Sequence, residues 1–242
     1  MTSSPEGKIE VLDDAHAVAR RAAEWFAQTV IAAPGNLRIA LSGGSTPKEL
    51  YARLGSEPFL DRTPWERLEL FWGDERFVPA DDPASNYGMA RTTLLGHAPI
   101  VADRVHPMPV DGTPADAARR YEAILKRCYG AEQLDASHAL FEIVFLGLGS
   151  DGHTASLIPG QPVLDEREHW VAAVTAGRSE PRITLTYPAI ESSNSIVFLV
   201  TGAEKAGAVR ATRAGDQNLP AARLRPRGQV LWFVDRAAAG LT

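Results

Sequence analysis

Apolar residues in this chain fall into short unbroken runs, and longer stretches with helical periodicity separate them. The runs predict strands over 38–41, 68–72, 143–146, 170–174, 196–200 and 230–234. Apolar positions spaced three and four apart predict helices over 13–32, 47–54, 85–95, 114–128 and 204–214. Strands that are apolar at successive positions, without alternation, are buried on both faces, the pattern of a mostly parallel sheet covered by helices. No internal repeat, low-complexity tract or long linker divides the chain, so residues 1–242 read as a single α/β domain.

Three of the strands run into turns that carry polar chemistry. The first ends in Ser42-Gly43-Gly44-Ser45-Thr46-Pro47. Here Thr46 is expected to cap a helix that opens at Pro47, with Glu49 completing a capping box. Glycines and hydroxyls around a helix N-terminus suit an anion such as phosphate, and without the lysine of a P-loop a nucleoside triphosphate is not indicated. The second ends in Gly73-Asp74-Glu75-Arg76, followed by Ser85-Asn86-Tyr87. Its arginine offers a planar, permanently charged fork to a phosphate or carboxylate. The third ends in Gly147-Leu-Gly149-Ser-Asp151-Gly-His153, which sets one imidazole beyond the carboxyl end of a strand, where open α/β sheets bind ligands.

Taken together, Ser42-Gly-Gly-Ser-Thr-Pro47, Trp72-Gly-Asp-Glu-Arg76 with Ser85-Asn-Tyr87, and Gly147-Leu-Gly-Ser-Asp-Gly-His-Thr-Ala-Ser-Leu157 resemble the signature blocks of the 6-phosphogluconolactonase family. Arg182-Ile-Thr-Leu185, Thr201-Gly-Ala-Glu-Lys205 and the ending Leu219-Pro-Ala-Ala-Arg223 with Trp232-Phe-Val-Asp235 match later blocks in the same order. The resemblance covers about residues 10 to 240. It implies a Rossmann-like fold shared with glucosamine-6-phosphate deaminase and ribose-5-phosphate isomerase, and hydrolysis of a sugar-phosphate lactone without a cofactor or metal. It places substrate binding among Ser42, Gly43, Gly44, Ser45, Thr46, Arg76, Ser85, Asn86, Tyr87, Gly149, Arg182 and Lys205. His153 is the expected general base, and Asp151, Asp74 and Glu75 are three open candidates for the acid that orients it.

A formal net charge of −5 and the lack of a long basic run argue against nucleic-acid or anionic-membrane partners. An anionic substrate must then be drawn by local cations. The N-terminal residues lack a signal-peptide pattern and no apolar run approaches membrane-spanning length, so a cytoplasmic location is expected. The single cysteine, Cys128, excludes an internal disulfide and reads as a packed thiol. His16, His97, His106, His138 and His169 are scattered and read as surface or packing residues.

Gly147, Gly149 and Gly152 also fit the dinucleotide-binding spacing. The motif lies mid-chain, however, Asp151 inside the turn repels a pyrophosphate, and no acid follows the next strand to hold a ribose. A deaminase of the same fold carries a glutamate a few residues after the histidine, where this chain has Ile158. A sugar-phosphate-sensing regulator needs a DNA-binding helix-turn-helix, and only about ten residues precede the first helix.

Overall fold

The computed structural model describes residues 6–241. Strand β1 (Lys8–Leu12) leads into helix α1 (Ala15–Ala32), which is capped by Asp14, whose carboxylate accepts from the Ala17 N–H at 2.8 Å. Strand β2 (Leu37–Leu41) is followed by α2 (Ser45–Leu54) and the single turn α3 (Phe59–Arg62). Strand β3 (Leu68–Trp72) continues past Gly73 as the short β4 (Asp74–Arg76). Ser85 caps α4 (Asn86–Ala90), which relaxes into a π-turn over Arg91–Leu95. Thr113 caps α5 (Pro114–Tyr129), and Gly130, at φ 87°, ends it. Then come β5 (Phe141–Leu146), β6 (Val171–Val174), β7 (Arg182–Leu185), α6 (Tyr187–Glu191), β8 (Ser193–Val200), α7 (Ala206–Arg213) and β9 (Gln229–Asp235).

Six strands form one wholly parallel sheet in the order β1-β9-β8-β5-β2-β3. Its central strands β5 and β8 are buried at almost every position, as unbroken apolar runs require. After β2 the chain steps outward to β3 and then returns to the other side of β2 for β5. The order of the strands therefore reverses between β2 and β5. At such a reversal the connections leave in opposite directions, and a crevice opens at the carboxyl ends of the two strands.

Strands β1 and β4 and the short helices α3 and α6 lie outside the elements that the sequence predicts. Strand β1 escapes because Lys8-Ile-Glu-Val-Leu12 alternates polar and apolar as an edge strand does, and lacks an apolar run. The segment at 170–174 was expected in the parallel sheet, but β6 belongs to a separate antiparallel sheet of order β4-β7-β6. The turn joining β6 to β7 is short enough for a direct reversal, whereas a parallel pair needs a long crossover. This small sheet is anchored to the large one where Leu185 N–H donates to the Gly73 carbonyl at 2.8 Å. It thereby carries Arg182 and Arg76, register partners on β7 and β4, to the carboxyl edge of the large sheet.

Candidate active site

A cavity of about 320 Å³ lies in the crevice between β2 and β5. The β2 turn supplies Ser42, Gly43, Gly44, Ser45 and Thr46 to its wall; the β5 turn supplies Gly147, Gly149 and His153. Asp74, Arg76 and Asn86 line it from one side, and Arg182, Thr201, Glu204 and Lys205 complete it.

The helix after β2 starts differently from the sequence expectation. Gly44 holds φ 109°, a conformation closed to side-chain-bearing residues, and α2 begins at Ser45 with no side chain capping it. Thr46 is inside the helix, and its hydroxyl is 2.9 Å from that of Thr201 at the end of β8. Glu49 turns away to His16 and Arg53, so the expected capping box is not formed. The tertiary contact with Thr201 outcompetes the local cap. One consequence is that the N-terminal N–H groups of α2, the positive end of its dipole, border the cavity without an internal acceptor side chain.

Among the acids left open by the sequence, Asp151 is the one on the histidine. Its Oδ1 lies 2.5 Å from His153 Nδ1 and accepts the His153 backbone N–H at 3.1 Å. The loop between β6 and β7 adds a group the sequence reading missed. Arg178 Nη2 donates to Asp151 Oδ2 at 2.7 Å and lies 3.0 Å from His153 Nδ1. An ionised carboxylate only accepts, so His153 Nδ1–H donates to Asp151 Oδ1, and Nε2 takes no part in the pair. Burial pushes the Asp151 carboxyl up, but the bonds from Arg178 and His153 outweigh it and hold the group well below the usual carboxylate range. Gly149 makes room for this pair, since a Cβ there would lie 2.0 Å from His153 Nδ1.

Asp74 and Glu75 do other work. Asp74 is buried and accepts from Ser156 Oγ at 2.7 Å and from Asn86 Nδ2 at 3.4 Å; Arg182 Nη1 stands 4.0 Å away. Glu75 is 2% exposed and outside the cavity. It accepts from the N–H groups of Arg76, Asn86 and Tyr87 and from the Ser85 hydroxyl, tying the start of α4 to β4. Burial pushes its carboxyl up, against those backbone donors. Ser85 and Tyr87, expected at the substrate, also stand outside the lining: Ser85 caps α4 and Tyr87 packs edge-on against Trp72. Only Asn86 of that triplet reaches the cavity.

Positive charge is concentrated here despite the acidic whole. Arg76 donates through Nη1 to the Ala84 carbonyl at 2.7 Å, while its Nε is buried with no hydrogen-bond partner. Arg182 Nε is likewise buried and unpartnered, and its other nitrogens have carboxylates only at 3.9–4.0 Å. Burial lowers the Arg182 proton affinity, the Asp74 charge opposes this, and the neighbouring Arg76 and Arg178 charges add to it. Two buried donors without acceptors are costly in a folded protein, and an anion in the cavity would satisfy them.

Fold and site together define an α/β protein with a cation-lined cavity at the switch point of a parallel sheet. The family model described as glucosamine-6-phosphate isomerases/6-phosphogluconolactonase matches residues 13–232, and the chain belongs to this family. The 6-phosphogluconolactonase of a Nostoc species is 38% identical over 239 residues, covering 95% of this chain and 96% of the relative. A solved 6-phosphogluconolactonase from Trypanosoma cruzi superposes with a TM-score of 0.85 at 32% identity, covering 99% of this chain and 98% of the other. A monomeric glucosamine-6-phosphate deaminase, at 23% identity and a TM-score of 0.81 over 97% of this chain and all (100%) of the other, shares the fold. Among the described residues no helix is long and apolar enough to cross a membrane.

Proposed function

We propose that this protein hydrolyses 6-phospho-D-glucono-1,5-lactone to 6-phosphogluconate, the lactone-opening step of the oxidative pentose phosphate pathway, with His153 as general base. The substrate class is supported by the names of the relatives. The observation that carries the chemistry is the Asp151–His153 pair, whose imidazole lines one cavity with Arg76 and Arg182, each holding a buried, unpartnered Nε.

A δ-lactone is an activated ester, so water needs only a base, a site for the developing oxyanion and a proton for the ring oxygen. In this reading Arg76, Arg182, Lys205 and the N-terminus of α2 hold the phosphate. His153 Nε2 removes a proton from water as its oxygen bonds to C1. Asp151 stabilises the imidazolium through Nδ1–H. When the C1–ring-oxygen bond breaks, the proton on Nε2 passes to the departing alkoxide and the imidazole is regenerated. The deaminase reading lacks its acid: Ile158 is an apolar residue, 2% exposed and outside the cavity.

The test uses freshly generated lactone, with product captured by 6-phosphogluconate dehydrogenase and rates corrected for spontaneous opening. Wild-type protein should accelerate the reaction and release no ammonia from glucosamine 6-phosphate. His153→Ala should lower kcat by roughly 10²–10⁴, the usual worth of a general base, with a smaller effect on KM. Ammonia release would overturn the substrate assignment, and near wild-type turnover in folded His153→Ala would remove the histidine from the mechanism.

A further inference from the structure

The cavity does not use Glu69, His106 or Cys128, and the sequence presents His106 and Cys128 as surface or packing residues. The fold brings them together at the opposite end of β3. Glu69 is the second residue of β3 and lies five residues before Asp74, about 16 Å along an extended strand. Glu69 and Phe71, two apart, share one face of the strand. His106 follows the bridge between Val105 and Leu70 and donates its N–H to the Leu70 carbonyl at 2.8 Å. Its ring stacks on Phe71 with centroids 4.6 Å apart and planes 23° from parallel, which fixes the orientation of the imidazole. Cys128, in the last turn of α5, closes the group from above, and Arg38 Nη1 fastens its carbonyl at 3.1 Å.

One ligand atom from each of the three residues lies within 4.8 Å of the others. His106 Nε2 is 3.9 Å from Glu69 Oε1, too far for a hydrogen bond, and is buried with no hydrogen-bond partner. A buried imidazole nitrogen left without a partner, facing a carboxylate and a thiol, is an unfavourable arrangement unless something joins them. We infer that Glu69, His106 and Cys128 form a binding site for Zn²⁺ or a chemically similar divalent transition metal, separate from the catalytic cavity.

Imidazole, carboxylate and thiolate are the ligand types of zinc sites. Metal–ligand bonds of about 2.0–2.3 Å put neighbouring tetrahedral ligands roughly 3.3–3.8 Å apart. Small side-chain rotations therefore close the present cluster onto an ion, with water as fourth ligand. On binding, the Cys128 Sγ–H proton passes to solvent as the sulfur–metal bond forms. The carboxylate and thiolate then neutralise the dication. Such an ion would bolt the edge strand β3, the 98–107 connection and the end of α5 together.

The chain has a single cysteine, so any thiolate–metal signal reports on this site alone. Reduced, chelator-treated full-length protein is titrated with Co²⁺ and followed by absorption. The expected result is a thiolate-to-cobalt charge-transfer band saturating at one equivalent, absent in Cys128→Ser and weakened in Glu69→Gln. In unmodified protein, Zn²⁺ should also slow alkylation of Cys128 and raise the Tm. No charge-transfer band at excess Co²⁺, or Cys128 alkylation unchanged by Zn²⁺, would overturn the assignment. So would binding that Cys128→Ser leaves intact, since the metal would then sit elsewhere.

Discussion

Asp151 divides its two carboxylate oxygens between His153 and Arg178, 2.5 Å from the imidazole Nδ1 on one side and 2.7 Å from the guanidinium on the other. Because these bonds hold its carboxyl well below the usual range against the effect of burial, Asp151 stays anionic throughout the neutral and mildly acidic range. A depressed carboxyl contributes stability that is present above the unfolded value of about 3.9 and is lost as pH falls towards the folded value. The stability difference between wild type and Asp151→Asn should therefore shrink below about pH 4. Between pH 5 and 8, Asp151→Asn should lower kcat, because the imidazolium formed in the reaction loses its partner. Unchanged turnover in the folded variant would separate Asp151 from the base.

Arg178 holds the other oxygen of that carboxylate: its guanidinium lies 2.7 Å from Asp151 Oδ2 and 3.0 Å from His153 Nδ1. Arg178→Ala should lower kcat with a smaller effect on KM, because Asp151 loses the bond that positions it, and Arg178→Lys, which keeps the charge, should restore part of the activity. A change in stability without any change in kcat would make Arg178 a loop anchor only.

Removing a charged hydrogen-bond partner costs about 1.5–3 kcal/mol, roughly 10- to 150-fold in affinity. Arg76→Ala and Lys205→Ala should raise KM by factors in this range for the phosphorylated lactone and barely change activity on plain gluconolactone. Arg76 has the buried free Nε, and Lys205 forms no ion pair among the described residues. Equal losses on both substrates would show that neither residue reads the phosphate.

Gly149→Ala tests the geometry of the base without touching its chemistry. The new methyl would lie 2.0 Å from His153 Nδ1 and 2.6 Å from Asp151 Oδ1, so the ring must move. The expected outcome is a folded protein with kcat lowered at least tenfold, since a displacement of about 1 Å in a reacting group costs up to 10²-fold. Retained turnover would mean that the His153 position seen here is not the one used.

What the sequence determined by itself is whatever local pattern specifies. Unbroken apolar runs announced five strands of the parallel sheet, because burial on both faces leaves no polar position. Thr113-Pro114 and Ser85 announced two helix starts through their own capping chemistry, and the glycine turns announced loops that line the cavity. The tertiary structure decided matters that depend on residues far apart in the chain. It chose Asp151 over Asp74 and Glu75, because Ser156 and Asn86 engage the first and the backbone of α4 engages the second. It moved the start of α2 to Ser45, because Thr201, 155 residues from Thr46, competes for the hydroxyl. It delivered Arg178 from a loop with no pattern of its own, and it gathered Glu69, His106 and Cys128, which neither spacing nor periodicity connects. Local sequence encodes the torsions and burial of each element, whereas a side chain's partner is set by packing between elements, and that packing exists only in the folded chain.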